Sequence, residues 1–168
     1  MDLSAEDAAQ AFSLQEVDAA VTNDPFLTQA KSAGHGHLLT DTTEQPGLLV
    51  DCLMTRADLF DDRKDEFRAV ARAWDAAVRY VETHPDEANA IMARHLGGPL
   101  EDPAAFADTL KGVGFYDAER NREYFGTPDH PGPIYETMQQ AIDVWSSVGM
   151  LKMQVSPADV IRHGIWDE

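Results

Sequence analysis

A hydroxyl, an amide and a carboxylate stand side by side at Thr22, Asn23 and Asp24, where the apolar run of residues 17–22 ends. The run is β-branched and predicts a buried strand. Pro25 suits the first turn of a helix, because the N–H that proline lacks has no partner there. In open α/β sheets, ligands bind beyond the carboxyl ends of strands and near helix N-termini. The three side chains are therefore candidates for hydrogen bonds to a small polar ligand. The residues leave open the alternative that Asn23 or Asp24 only caps the helix.

Two histidines, His35 and His37, are separated by a single glycine. A metal site needs at least one further ligand in a defined geometry, and no HExxH or CxxC spacing is present. We interpret the pair as solvated histidines in a glycine-containing turn, and we expect no metal and no cofactor. The sequence also has no GxSxG, GxGxxG or P-loop motif, so no catalytic residue is predicted. Cys52 lies in an apolar run, where a buried, unreactive role is expected.

The composition is acidic, with 30 Asp and Glu against 13 Lys and Arg and a formal net charge of -17. This balance argues against nucleic acid as a partner, because phosphate binding requires clustered basic side chains. It also argues against an anionic membrane surface. The 43% hydrophobic content predicts a folded chain rather than a disordered one.

The predicted secondary structure changes along the chain, from strands alternating with helices to helices alone. Strands are predicted at 17–22, 37–40 and 48–55. Helices are predicted at 4–14, 25–32, 63–83, 85–96, 103–111, 117–125 and 134–148, with a final turn at 156–157. The fold class expected is therefore α/β with a helix-rich second half. Two or three short strands cannot form a sheet covered by so many helices, so we expect that further strands come from elsewhere.

Four stretches, in order VDAAVTNDPFL, PGLLVD, AWDAAVRYVETHPDEANAIMA and KGVGFYDAERNREYFG, resemble the periplasmic substrate-binding proteins of ABC importers. The resemblance is to the nitrate, sulfonate, taurine and thiamine-precursor group and covers residues 8 to 160. It implies the carboxyl-terminal half of a type II periplasmic-binding-protein fold, hence a partial one. Residues 1–45 would end the second lobe, 46–50 would form a hinge crossover with Pro46 and Gly47, and 51–168 would belong to the first lobe. The amino-terminal lobe would be missing from this chain.

The same resemblance implies a site. In the family, the strand end that matches Val21 to Pro25 lines the ligand cleft with the pattern Thr, aromatic, acid, Pro. Here Asn23 stands where the aromatic would be, so the resemblance does not identify the solute. It implies that Thr22, Asn23 and Asp24 bind a small-molecule solute. Asp51, on the crossover strand, is a further candidate for ligand binding.

The implied function is solute capture without covalent chemistry, outside the cytoplasm in the periplasm or on a membrane anchor, with an ABC permease in the membrane as partner. One alternative is an enzyme similar to thiamine-pyrimidine precursor synthase, which uses a cysteine-rich segment, whereas this chain has a single cysteine. Another is a half-receptor that acts as an interaction module, whose exposed apolar faces would need a partner.

Overall fold

The structure, a computed structural model, describes residues 2–166 and is helical. Within this range the α-helices are α1 (Ala5–Ser13), α2 (Phe26–Ser32), α3 (Ala57–Asp62), α4 (Lys64–Thr83), α5 (Pro85–Leu96), α6 (Pro103–Thr109), α7 (Ala118–Phe125), α8 (Ile134–Ser147) and α9 (Pro157–Val160). Short 3-10 helices lie at Thr42–Glu44, Gly98–Leu100 and Leu110–Gly112.

Local sequence signals set several of these helix ends. The Ser4 hydroxyl accepts a hydrogen bond from the Asp7 N–H at 3.1 Å and donates one to the Asp7 carboxylate at 2.7 Å, so that Ser4 caps the start of α1. At α9, the Asp159 carboxylate accepts from both the N–H and the hydroxyl of Ser156. His84 separates α4 from α5, which begins at Pro85 as the missing N–H of proline predicts.

The helices pack in two groups along the chain. α1 packs against α2. Further along, α3 packs on α4, α4 on α5 and α5 on α6, while α7 contacts both α4 and α8, and α9 contacts α8. The buried side chains are mostly alanines, with Phe60, Phe106 and Ile134 among the few large ones. The hydrophobic core is therefore small, because each alanine side chain buries little apolar surface.

The three predicted strands are not formed. Residues 2–166 contain a single isolated β-bridge, between Gly126 and Pro131, and no strand. A strand exists only when its backbone N–H and C=O groups pair with a neighbour, and the segments 17–22, 37–40 and 48–55 have none in this range. The helix-rich second half is as predicted, whereas the sheet of the expected α/β fold is not seen among these residues.

Apolar side chains of the unpaired segments face outward. Val21 is 94% exposed, Leu49 76% and Met54 86%. Cys52, expected to be buried, is also exposed. The C-terminal end of α8 shows the same feature, since Trp145 and the residue that follows the helix, Val148, are at least half exposed. The sequence pattern correctly marks these residues as apolar, but it does not say what covers them.

The total accessible surface measures how open the molecule is. It is 12415 Å², whereas a compact monomer of this mass exposes about 8,200 Å². The excess is about 4,000 Å² on this scaling, as large as the surface buried in an obligate protein interface.

Candidate functional site

The predicted ligand-binding residues Thr22 to Asp24 lie between α1 and α2. The Thr22 hydroxyl donates to the Ala5 carbonyl oxygen at 2.7 Å, which ties this segment to the first turn of α1. One carboxylate oxygen of Asp24, Oδ1, accepts from the N–H of Thr28 at 3.1 Å and from its hydroxyl at 2.6 Å. Asp24 therefore satisfies an N–H in the first turn of α2, close to the role of the capping alternative, although the N-cap position itself is Pro25.

Capping leaves part of this segment available. The side chains of Asn23 and Asp24 are exposed. Within residues 2–166, neither the Asn23 amide nor the second carboxylate oxygen of Asp24 has a hydrogen-bond partner. The segment thus presents an amide and a carboxylate oxygen to the surroundings, while Thr22 holds it in place.

Two contacts fix the direction of the α1–α2 pair. Thr22 lies at the first turn of α1, whereas His35, after α2, lies 2.9 Å from the carbonyl oxygen of Phe12 in the last turn of α1. α2 therefore runs alongside α1 in the same direction. The positive ends of both helix dipoles lie on the side of Asn23 and Asp24.

The predicted hinge residues lie elsewhere, in a cleft of about 220 Å³. The Gly47 carbonyl oxygen accepts from the Thr137 hydroxyl at 3.2 Å, and the Tyr124 and Thr137 hydroxyls are 2.9 Å apart. The cleft is lined by Gln45, Pro46, Gly47, Leu48, Tyr124, Pro133, Glu136, Thr137 and Gln140. Its volume is below the range of about 300–1,000 Å³ typical of small-molecule sites. It therefore fits the anchoring of the 46–48 segment on α7 and α8 better than it fits a complete ligand pocket.

Asp51 is not joined to Thr22–Asp24. Its side chain is exposed and forms no hydrogen bond or ion pair within the part of the chain that the structure describes. Partial desolvation and the Asp51 carboxylate raise the pKa of the Cys52 thiol, so that the thiolate is disfavoured near neutral pH. Within residues 2–166, no hydrogen bond or ion pair joins Asp51 to Thr22, Asn23 or Asp24.

A polar junction that the sequence did not predict joins α4 to α7. The Asp75 carboxylate accepts the N–H of Ala118 at 2.8 Å and the Arg79 Nε–H at 3.0 Å, and these hydrogen bonds lower the pKa of Asp75. The Trp74 indole donates to the Tyr116 carbonyl oxygen at 2.7 Å. The junction fixes the start of α7, the helix that carries the cleft residue Tyr124. No local pattern in the sequence signals that Asp75 has a partner 43 residues away.

Two further observations concern metal binding and the crossing of a membrane. Among residues 2–166, no group of three or more His, Cys, Asp or Glu side chains is placed to hold a metal ion. None of the helices in that range is both long and apolar enough to cross a membrane.

Comparison with known proteins identifies the family. No curated protein and no solved structure matches the chain significantly. The sequence model of the NMT1-like family matches residues 1–97, which include the α1–α2 pair, the 46–50 segment and all of α3, α4 and α5. This match covers more than half of the chain, and the chain belongs to the NMT1-like family.

Proposed function

We propose that the protein is the solute-binding component of an ABC-type importer. The observation that carries this proposal is the family match over residues 1–97, since the NMT1-like family is consistent with the nitrate, sulfonate and taurine group of binding proteins. The protein would bind its solute outside the cytoplasm and deliver it to a membrane permease, with no covalent step.

The residues proposed to contact the solute are Asn23 and Asp24, with Thr22 as their anchor. A free carboxylate oxygen on Asp24 accepts hydrogen bonds and repels anions. Among the solutes of this group, a solute with an amine or another N–H donor, such as taurine or a pyrimidine, therefore fits better than nitrate. The Asn23 amide, which both donates and accepts, suits the polar end of such a molecule.

A companion lobe is part of the proposal. The exposed apolar side chains of the 48–54 run and of the C-terminal half of α8, together with an accessible surface well above that of a compact monomer, support a second body that covers these faces. We propose that the amino-terminal lobe of the receptor is this body and that Pro46 and Gly47 are hinge residues. The solute would lie between the two lobes, and closure would bury it.

The exposed apolar faces also favour a second candidate function, an interaction module that associates with another protein without a solute. The two candidates differ in one observable. Only the receptor binds a small molecule at Asn23 and Asp24.

Replacing Asp24 tests the proposed site. Asp24→Ala in the full-length protein should weaken binding of the solute by about 1–3 kcal/mol, because a charge-assisted hydrogen bond is lost. Asp18→Ala is the matched control, since Asp18 is an exposed acid in the preceding loop. Isothermal titration calorimetry measures both affinities. Equal affinities of Asp24→Ala and the parent protein would remove Asp24 from the site.

A further inference from the structure

The Gly47 carbonyl oxygen ties the amino-terminal part of the chain to the later helices. The principal packing contacts form two sets, that of α1 with α2 and those among α3–α9. Residues 33–56 connect the two sets. Within residues 2–166, Gly47 is the only residue before Arg56 that hydrogen-bonds to α3–α9. In that range, a single carbonyl group therefore carries the polar connection between the two sets.

The hydroxyls of Tyr124 and Thr137, here called the hydroxyl clamp, hold this carbonyl in a fixed order. The Thr137 hydroxyl is 3.2 Å from the Gly47 oxygen and 2.9 Å from the Tyr124 hydroxyl. A carbonyl oxygen can only accept, so the Thr137 hydroxyl donates to Gly47 and accepts from Tyr124. The direct distance from the Tyr124 hydroxyl to the Gly47 oxygen is 3.5 Å, which is long for an O–H···O hydrogen bond. Tyr124 therefore acts through Thr137.

The turn between α7 and α8 keeps the two hydroxyls together. Tyr124 lies in the last turn of α7, and Thr137 lies near the start of α8. The Gly132 N–H donates to the Phe125 carbonyl oxygen at 3.1 Å. Glycine is needed for this close turn, because a Cβ at position 132 would lie 2.4 Å from the Tyr124 carbonyl oxygen. The backbone of α7 and α8 thus places both hydroxyls, and the clamp does not depend on Gly47 for its shape.

A turn at residues 45–48 presents the Gly47 carbonyl to the clamp. The Leu48 N–H donates to the Gln45 carbonyl oxygen at 3.1 Å and closes the turn. Pro46 at its second position and Gly47 at its third, with a φ of +87°, are typical of a type II turn. The conformation of this turn is therefore set by its own sequence, and the clamp fixes its position on α7 and α8.

The chain on the amino-terminal side of this turn has few contacts. Residues 37–40 are all exposed, and within residues 2–166 none of their N–H groups has a backbone hydrogen-bond partner. Gly36, before them, lies against the Phe12 ring of α1. Asp41, after them, caps the 3-10 helix Thr42–Glu44. A rotation of the chain is therefore easiest at 37–40, where the fewest contacts must break.

We propose that the hydroxyl clamp holds the 45–48 turn to α3–α9, and that the α1–α2 pair rotates about residues 37–40. Pro46 and Gly47 are then the fixed end of the hinge. Thr43, which lies near Gly112, is on the fixed side as well. The clamp and the 37–40 joint are properties of this chain, whereas the part they play in closure on a solute rests on the proposed function.

Pulsed EPR distances in the full chain test the joint. Cys52, the single cysteine, is replaced by serine. One spin label is placed on α5 with Asp86→Cys, and the second either on α2 with Gln29→Cys or next to the turn with Thr42→Cys, all at exposed positions. The Thr42–Asp86 distance should have one narrow distribution, because both residues lie on the fixed side. The Gln29–Asp86 distribution should be wider, because the joint lies between the labels. Equal widths for the two pairs would overturn the joint.

Replacing Thr137 tests the clamp. Thr137→Val removes the donor to Gly47 at nearly constant volume. Loss of this hydrogen bond should raise the fraction of molecules outside the narrow parent distribution by about two- to tenfold. Thr137→Ser keeps a hydroxyl and should keep the narrow distribution. Thr109→Val is the matched control and should also keep it, because this half-buried threonine donates to a carbonyl oxygen of its own helix, α6.

Tyr124→Phe distinguishes the clamp from a threonine with a merely structural role. Because Tyr124 acts through Thr137, its loss should widen the distribution less than Thr137→Val and should add little in the double variant. An unchanged distribution in Thr137→Val, or the same widening in Thr109→Val, would overturn the clamp. If Thr137→Val does not fold, the parent chain decides, since a broad Thr42–Asp86 distribution there excludes the clamp.

The distances are measured without a solute, which keeps this test separate from that of the proposed function. A failure of the clamp or the joint would leave solute binding untouched. A protein that binds no solute would still show the narrow and the wide distributions expected here.

Discussion

Asp75 shows how one side chain can hold two helices together. Its carboxylate lies on α4 and accepts the N–H of Ala118, the first residue of α7. This contact satisfies a donor that the helix itself leaves unpaired. The Trp74 indole donates to the neighbouring Tyr116 carbonyl, so two adjacent residues of α4 position the same turn.

We predict that Asp75→Asn lowers the free energy of unfolding by about 1 kcal/mol at pH 7, because the Asn amide oxygen can still accept the Ala118 N–H but the charge and the acceptor for Arg79 are lost. The pKa of Asp75 is lowered from the model-compound value of 3.8 by its hydrogen bonds to Ala118 and Arg79. Its contribution is therefore complete above that value and is lost as the pH falls below it through the lowered pKa.

Urea denaturation of the parent protein and of Asp75→Asn, at pH 7 and at pH 3 and below, measures the difference. The difference should shrink toward the acidic end. Asp18→Asn, in an exposed loop, is the control and should have little effect at either pH. A difference that does not change with pH would mean that the Asp75 charge makes no contribution.

The helices of the second half could be predicted from local signals. α5 covers 85–96, as predicted from Pro85 and Gly97, and α4 and α8 differ from the predicted ranges by one residue at an end. α3 was missed, because its six residues are too few for an apolar period to be visible. The strands predicted at 17–22, 37–40 and 48–55 are not formed within residues 2–166, since a strand depends on a neighbour that the segment itself does not encode.

Gly36, in the turn after α2, lies against the Phe12 ring of α1. Its substitution therefore tests the contact between the two elements. Gly36→Ala should destabilise the protein by about 0.5–1.5 kcal/mol, the cost of moving a side chain off its rotamer, because the half-buried Phe12 ring must turn away from the new methyl group. Gly112→Ala is the matched control, since a Cβ there would meet only Thr43 Cγ2 at an ordinary 3.7 Å.

A double-mutant cycle with Phe12→Ala identifies the cause. In the Phe12→Ala background, Gly36→Ala should cost little more, because the ring that it would strike is gone. Thermal or urea unfolding of the four proteins gives the coupling energy. If the two substitutions lowered the free energy of unfolding additively, the close approach of Gly36 to the Phe12 ring would not be the cause of the destabilisation.

At the scale of the whole molecule, the candidate site could be predicted only in part. Thr22 to Asp24 could be proposed as candidates because a polar triplet after an apolar run is visible in the sequence. The anchoring of Gly47 by Thr137, whose hydroxyl also contacts that of Tyr124, depends on long-range packing. No local pattern reports such packing.

The exposed apolar run at 48–54 leads to a prediction about association. The double substitution Leu49→Asp and Met54→Asp should change the stability of this chain by less than about 0.5 kcal/mol, because both side chains are exposed. It should weaken association with the companion lobe strongly, because buried unpaired charges are costly. Ile134→Asp is the contrasting control and should unfold the chain, since Ile134 is 7% exposed.

Analytical ultracentrifugation, together with binding of an apolar dye, measures the two effects separately. The parent chain should bind the dye and should lose this binding when the companion lobe is present. Unfolding of the Leu49→Asp, Met54→Asp protein would contradict the exposed placement of the run. Unchanged association would place the companion on another surface.

Isothermal titration of the full-length protein with taurine, aliphatic sulfonates, nitrate and pyrimidines tests the central claim most directly. The account predicts saturable binding of one solute at a single site, with a preference for a solute that carries an N–H donor. A protein that binds none of these solutes, although it is folded and its lobes are associated, would contradict the assignment as a solute receptor and leave the interaction module in its place.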